Sequence, residues 1–197
     1  MALGGLLVST VPRDLPGPGM GPANRITLLR AVLIVAVTGL LAHPGPPPPP
    51  LLWWIVGVAT FSMFLDGFDG WVARRTGTST DFGARFDMEL DAFLMLVLSG
   101  LVLETGKAGA WVLLIGLLRY LFVAAGWIWP RLRGRLPDRF RRKLVCVVQG
   151  VALLAALSPV IAPGTGAVLT AAALTALSYS FAADVALLLR GPYLGRE

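Results

Sequence analysis

Six apolar runs, each close in length to a membrane-spanning helix, divide this chain of 197 residues. A helix needs about 20 apolar residues to cross the hydrocarbon core of a bilayer. Separators rich in proline, glycine or charge end the runs, because such residues interrupt helices. With 56% hydrophobic and 14% charged residues, the chain is too apolar for a soluble domain. We therefore predict an all-α, six-transmembrane-helix bundle with spans at 24–42, 51–75, 82–103, 109–129, 141–161 and 167–189.

The 17 basic residues favour one side of this predicted bundle. They flank the first span, the connector after residue 75, the stretch from Arg131 and the C-terminus, whereas Lys107 stands alone on the other side. Because basic loops stay in the cytoplasm, both termini and the two basic connectors are predicted to face the cytoplasm from the cell (inner) membrane.

The predicted domains follow from these spans. The N-terminal residues lack the basic region and the cleavage site of a secretory signal, so residues 1–23 are predicted to form a short segment at the cytoplasmic interface. Residues 24–190 are predicted to form the transmembrane domain, and residues 191–197 a cytoplasmic tail.

Four aspartates interrupt the second and third predicted spans. Asp66 and Asp69 are spaced i,i+3 and Asp87 and Asp91 are spaced i,i+4, so each pair lies on one helix face. If the two helices run antiparallel about a connector near residue 78, Asp66 lies level with Asp91 and Asp69 with Asp87. At ~1.5 Å rise per residue, the carboxylates lie roughly 8 to 20 Å below that connector. A lone ionised carboxylate is costly at that depth, so the four are predicted to share one site.

Such a cluster needs a compensating cation, because its carboxylates repel one another and lose hydration. The nearby basic residues Arg74, Arg75 and Arg85 lie at the connector end, which favours a divalent metal. Oxygen ligands indicate a hard ion, Mg²⁺ or Mn²⁺, and aspartate pairs that hold one or two such ions usually serve phosphate chemistry. One or two ions are expected, with Asp66, Asp69, Asp87 and Asp91 as the candidate ligands.

Several residues around the aspartates have two interpretations. Gly67, Gly70 and Gly83 allow close approach either of a neighbouring helix or of a nucleotide, and the metal cluster favours the nucleotide. Glu89 points away from the face of Asp87 and Asp91 on a regular helix, and a structural role is predicted for it. Cys146 is expected to be an inert packing residue, and His43 a solvated loop residue.

The pattern Asp66-x2-Asp69-Gly70-x2-Ala73-Arg74-x8-Gly83-x3-Asp87-x3-Asp91 resembles the signature of the CDP-alcohol phosphatidyltransferase family at every fixed position. The six-helix layout is also similar, as is the start of the first span, Pro22-Ala-Asn24-x2-Thr27-x2-Arg30. The resemblance implies a phospholipid-synthesising transferase, in which an alcohol attacks the β-phosphorus of a CDP-linked lipid such as CDP-diacylglycerol and CMP is released. It also implies a homodimer that contacts membrane lipids and no nucleic acid.

The resemblance assigns roles to individual residues. Asp66, Asp69 and Asp87 would be metal ligands, and Asp91 would complete the metal site and act as the catalytic base. Nucleotide contacts are expected from a set of small and polar residues: Gly70, Ala73, Arg74, Gly83, Asn24 and Thr27.

The sequence does not decide which alcohol is the acceptor. Arg119 lies near the middle of the fourth span, where a cation is expensive, so it is expected either to bind acceptor phosphate or to pair with an acid such as Asp184. With Arg131 and Arg133 it would hold glycerol 3-phosphate or inositol phosphate, although the basic stretch also suits topology control and anionic lipids. Phosphatidylglycerophosphate synthases usually carry Lys after the last aspartate and Arg-Glu in the fourth helix, whereas this chain has Ala92 and Arg119-Tyr120.

The alternative function is a metal-ion or proton-coupled transporter with the aspartates as its transit site. Transporters often contain inverted repeats and paired broken helices. Here the carboxylates belong to one hairpin, and the sequence shows no matching second half. The pattern therefore favours the enzyme.

Overall fold

The computed structural model describes residues 22–42, 45–76, 81–129 and 140–190, with the side chains of 22–25, 69–76, 81, 82, 84, 140–143, 189 and 190 excepted. These residues form six α-helices and no strand, which confirms the all-α class. His43, the 77–80 connector, the stretch that holds Arg131 and Arg133, the N-terminal segment and the C-terminal tail lie outside this description. The helices are α1 (Pro22–Gly39), α2 (Pro49–Thr76), α3 (Asp81–Glu104), α4 (Leu114–Ile128), α5 (Phe140–Leu157) and α6 (Pro163–Arg190).

The chain is a multi-pass membrane protein. Three described stretches are long and apolar enough to cross a bilayer: Pro49–Phe68, Ala110–Ile128 and Pro163–Leu188. Two further apolar helices, Ile26–Ala42 and Leu144–Leu157, are shorter. Large apolar side chains such as Phe64, Trp127 and Ile128 are 65–71% exposed, as expected for a surface that contacts lipid.

Helix α3 lies at the centre of the bundle, where it contacts α1, α4 and α5. Its Leu94, Leu98 and Leu101 recur at i,i+4 and i,i+7, which places them on one face, and each is at most 1% exposed. Four of the five carboxylates of α3 lie in its N-terminal half, residues 92–103 carry no charge, and Glu104 ends the helix. The N-terminal half of α3 therefore supplies polar contacts, and the uncharged stretch 92–103 packs against the neighbouring helices.

Several helix ends differ from the sequence prediction, among them the start of α4 at Leu114, the end of α5 and the start of α6. Residues 163–166 were predicted to separate the last two spans, but α6 begins at Pro163. Proline fits the first turn of a helix, because the N–H that it lacks has no partner there. Helix α5 ends at Leu157, four residues before its predicted end at 161, and Ser158 begins a turn in which Ile161 N donates to Ser158 O.

Lys107 joins the loop after α3 to the far end of α5. Its Nζ donates to the backbone oxygens of Ser158 at 2.7 Å and Ile161 at 3.0 Å. Partial burial lowers the pKa of Lys107 below its ordinary value. A cation at a helix C-terminus is favourable, because the last carbonyls carry partial negative charge.

Gly116 of α4 packs closely against the backbone of α3. A Cβ atom at this position would overlap Leu96 Cα and lie 2.6 Å from Leu96 N. Because backbone atoms cannot yield as a flexible side chain can, we expect Gly116→Ala to destabilise the protein by at least about 1–3 kcal/mol. Thermal unfolding in detergent measures this effect. Gly57→Ala is the matched control, since a Cβ there meets no described atom within 4 Å. Equal unfolding temperatures for the two variants would contradict the close packing.

Candidate active site

Three of the four predicted aspartates converge in the structure. Asp66 of α2 and Asp87 and Asp91 of α3 each contribute one carboxylate oxygen to a group whose members lie within 4.8 Å of one another. The three side chains are 27–34% exposed. This confirms the predicted approach of Asp66 to Asp91. The side chain of Asp69 lies outside the described residues.

The guanidinium of Arg30 lies among these carboxylates. Its Nη1 is 2.8 Å from Asp66 Oδ1 and also contacts Asp87 Oδ1, while its Nη2 donates to Asp91 Oδ1 at 2.6 Å. The Arg30 side chain is fully buried, with 0% of its surface exposed. One side chain of α1 thereby binds carboxylates of both α2 and α3.

Sequence reasoning missed this role of Arg30. Only the basic residues near the connector were considered as counter-ions of the aspartates, and these residues favoured a metal. The signal was present, because Arg30 is the only charged residue between residues 26 and 42. A cation inside an apolar span is expensive and indicates an acidic partner or a ligand.

The site also suits a divalent cation. Three carboxylates and one guanidinium leave a net formal charge of −2. Asp66 Oδ1 is buried close to Nη1, yet it accepts no well-directed hydrogen bond from the described residues. Carboxylate oxygens are the ligands that Mg²⁺ and Mn²⁺ prefer. Asp66, Asp87 and Asp91 therefore fit a metal ion beside Arg30.

Arg119 of α4 forms an ion pair with Glu89 of α3, with Nη2 2.5 Å from Oε1. Glu89 is an acidic partner that the sequence analysis did not consider, and the pair gives it a structural role. The buried Asp184, proposed as a partner from the sequence, is 6% exposed. Arg119 Nε is buried and has no hydrogen-bond partner among the described residues, whereas the side chain as a whole is 34% exposed.

Cys146 does not lie in the packed core. Its side chain is exposed, and it is close enough to Asp66, Asp87, Asp91 and Arg119 to interact with them electrostatically. The prediction that Cys146 packs inside the protein is therefore wrong. That its thiol is inert stays a prediction. Helix α5, which carries Cys146, forms part of the wall around the site.

The predicted nucleotide contacts lie on three helices. Asn24 and Thr27 belong to α1, Gly70, Ala73 and Arg74 to α2, and Gly83 to α3. Thr27 and Gly83 are partly buried. The side-chain surroundings of Asn24, Ala73 and Arg74 are not among those described, so their roles stay predictions.

An open depression with a volume of about 500 Å³ is lined by Met63, Phe64, Gly67 and Phe68 of α2. A Cβ atom at Gly67 would meet no described atom within 4 Å. Contact with another described helix therefore does not require glycine there. Whether Gly67 admits a ligand stays a prediction.

The fold and the site define a helical membrane protein in which carboxylates of two helices surround a buried arginine of a third. Residues 20–182 match the CDP-alcohol phosphatidyltransferase family, and the chain belongs to this family of enzymes. It is 33% identical over 132 residues to the probable phosphatidylglycerophosphate synthases of Mycobacterium tuberculosis strains CDC 1551 / Oshkosh and ATCC 25618 / H37Rv.

The similarity to these relatives covers 66% of this chain and 63% of each relative. The chain thus matches slightly less than two thirds of their length. No solved structure matches the chain. The family match confirms the resemblance inferred from the aspartate motif, and it favours the enzyme over the transporter.

Proposed function

We propose that this protein transfers a phosphatidyl group from a CDP-linked lipid, such as CDP-diacylglycerol, to an alcohol and releases CMP. The observation that carries the proposal is the convergence of Asp66, Asp87 and Asp91 inside the family motif. The transmembrane domain at 24–190 would hold the whole site. The protein would be a homodimer in the inner membrane, with the site and both termini facing the cytoplasm.

The metal ligands would be Asp66, Asp69, Asp87 and Asp91, with two Mg²⁺ or Mn²⁺ ions as the expected cofactors. Bound metal would neutralise the negative charge of the donor's phosphates, which lowers the cost of attack by an electron-rich oxygen. The described part of the cluster supports this role through its residual charge of −2 and its converging oxygens.

The donor would lie across α1, α2 and α3. Gly70, Ala73 and Gly83 would leave room for the cytidine and ribose, while Arg74, Asn24 and Thr27 would contact the nucleotide or its pyrophosphate. The open apolar depression around Gly67 supports a place for an acyl chain of the lipid, because its walls are Met63, Phe64 and Phe68 of the helix that carries Asp66.

The reaction would exchange one phosphoester bond for another. A bond forms between the acceptor hydroxyl oxygen and the β-phosphorus, and the bond from that phosphorus to the CMP oxygen breaks. Asp91 takes the hydroxyl proton, and CMP leaves as the anion. The hydrogen bond from Arg30 Nη2 fixes the orientation of the Asp91 carboxylate. General-base assistance of this kind contributes about 10²–10⁴-fold to a rate.

For the acceptor we propose a phosphorylated alcohol, with glycerol 3-phosphate ahead of inositol phosphate. Arg119 supports this choice, because its side chain is partly exposed and a guanidinium binds phosphate oxygens well. The names of the two mycobacterial relatives support it too. Arg131 and Arg133 would add positive charge near the cytoplasmic end of α4.

The decisive experiment measures CMP release from CDP-diacylglycerol by the purified protein with Mn²⁺ and a panel of acceptors. The panel contains glycerol 3-phosphate, inositol phosphate, glycerol and inositol. We expect turnover with a phosphorylated acceptor and little with the plain alcohols. Absence of turnover with every acceptor, together with Mn²⁺ uptake into vesicles that contain the protein, would instead support transport.

Arg119→Ala is expected to raise the KM for the phosphorylated acceptor by about 10-fold or more and to leave the donor KM nearly unchanged. A hydrogen bond to a charged group is worth about 1.5–3 kcal/mol, which corresponds to this change. Steady-state kinetics with each substrate varied in turn measures it. Arg85→Ala, which removes an exposed arginine from α3, is the control.

The pair with Glu89 offers a second test of Arg119. If Arg119 served only to neutralise Glu89, the double variant Arg119→Ala/Glu89→Gln would recover the acceptor KM of the wild type. Recovery would contradict phosphate binding by Arg119. A persistent KM defect would support it.

A further inference from the structure

Arg30 is the most heavily engaged charged side chain among the described residues. It lies on α1, is 0% exposed, and contacts Asp66 of α2 and both Asp87 and Asp91 of α3. These are the same three residues whose oxygens could hold a metal ion. The cluster therefore already contains one cation that belongs to the protein.

Two physical consequences follow from that position. Carboxylates whose oxygens lie within 4.8 Å of one another repel, and a guanidinium among them offsets the repulsion. A cation already present also weakens the attraction of the cluster for another cation. The atoms that Arg30 contacts are the Oδ1 atoms of all three aspartates, so a metal ion would have to share these carboxylates with it.

We propose that Arg30 is a positioning residue that acts as the built-in counter-ion of the carboxylate cluster. It holds α1, α2 and α3 together at the site when no metal ion is bound, and it limits the affinity of the site for divalent metal. This inference rests on the proposed metal site. If it is correct, removal of Arg30 destabilises the fold and strengthens metal binding at the same time.

The test uses the full-length protein in detergent with Arg30→Gln. Thermal unfolding is measured in excess EDTA, and Mn²⁺ binding is measured by the loss of the free-ion signal in electron paramagnetic resonance. We expect the variant to unfold at a lower temperature in EDTA and to bind Mn²⁺ about tenfold or more tightly, the smaller end of the effect that a neighbouring opposite charge exerts on a carboxylate. Arg85→Gln is the matched control and should change neither quantity.

A double variant keeps the test decisive if Arg30→Gln folds poorly. Arg30→Gln/Asp66→Asn removes one negative charge together with the positive one, so its unfolding temperature in EDTA should return toward that of the wild type. A double variant as unstable as the single one would overturn the proposal. So would a Mn²⁺ affinity in Arg30→Gln that is unchanged or weaker, since Arg30 would then orient the ligands instead of competing with the metal.

Mn²⁺ binding by the wild-type protein distinguishes failure of the proposed metal site from failure of the proposal about Arg30. If it binds no Mn²⁺, both the proposed metal site and the proposed effect of Arg30 on affinity fail. If it binds Mn²⁺ and the affinity does not rise in Arg30→Gln, only the proposal about Arg30 fails. Arg30→Lys adds a check, because it keeps the charge and loses the planar fork. It should preserve more of the EDTA stability than Arg30→Gln.

Discussion

Asp66→Asn, Asp69→Asn and Asp87→Asn are each expected to reduce CMP release to the background level. A metal ion stabilises charge in the transition state by several kcal/mol, and each 1.36 kcal/mol is tenfold in rate, so the loss should be on the order of 10³-fold or more. An amide in place of a carboxylate keeps the shape but removes the charge that binds the metal. Initial rates over a range of Mn²⁺ concentrations, from low to saturating, measure the effect.

Folding must be separated from chemistry in these variants. Their unfolding temperatures in detergent should stay near that of the wild type, because Asn conserves the volume of Asp and the described carboxylates are only partly buried. Glu104→Gln is the matched control, since it neutralises a carboxylate of α3 at the end of that helix far from the site. Near-normal activity at low Mn²⁺ in any one of the three variants would remove that aspartate from the metal site.

The convergence of the aspartates could be predicted from the sequence because it depends on local geometry. The spacings of Asp66, Asp87 and Asp91 fix their helix faces, and a short connector forces α2 and α3 to run antiparallel. The contacts of Arg30 could not be obtained in this way. They join residues 57 and 61 positions apart, and they require α1 to pack against the hairpin in one particular register. The ion pair of Arg119 with Glu89 spans 30 positions and depends similarly on how α4 meets α3.

The roles of the glycines also depend on contacts between helices, which the sequence does not fix. The sequence suggested two roles for Gly67, helix contact or ligand access, and a Cβ atom there would meet no described atom within 4 Å. The tight helix contact lies at Gly116 instead, where the neighbouring atoms are the backbone of Leu96. A glycine in an apolar run does not reveal which neighbour it faces, because that neighbour belongs to another helix. Pro163 was misplaced for a related reason, since proline both ends helices and begins them.

Asp91→Asn separates proton transfer from binding at the fourth aspartate of the motif. The amide oxygen can still accept a hydrogen bond from Arg30 Nη2, as Asp91 Oδ1 does at 2.6 Å. It also remains an oxygen ligand, but it cannot take the proton of the acceptor hydroxyl. Turnover should therefore fall by a factor on the order of 10² or more, the scale of general-base assistance. Donor binding should survive.

Measuring CDP-diacylglycerol binding and kcat on the same purified Asp91→Asn protein distinguishes the possible roles of Asp91. A fall in kcat with intact donor binding assigns the carboxylate to the proton transfer, because the variant then loses an interaction made only in the transition state. Loss of binding in step with turnover would make Asp91 chiefly a metal ligand. An unchanged kcat would place the base elsewhere. In that case the function of the contact between Arg30 and Asp91 would be to hold α1 against α3, which the unfolding temperature of Arg30→Gln in EDTA measures independently.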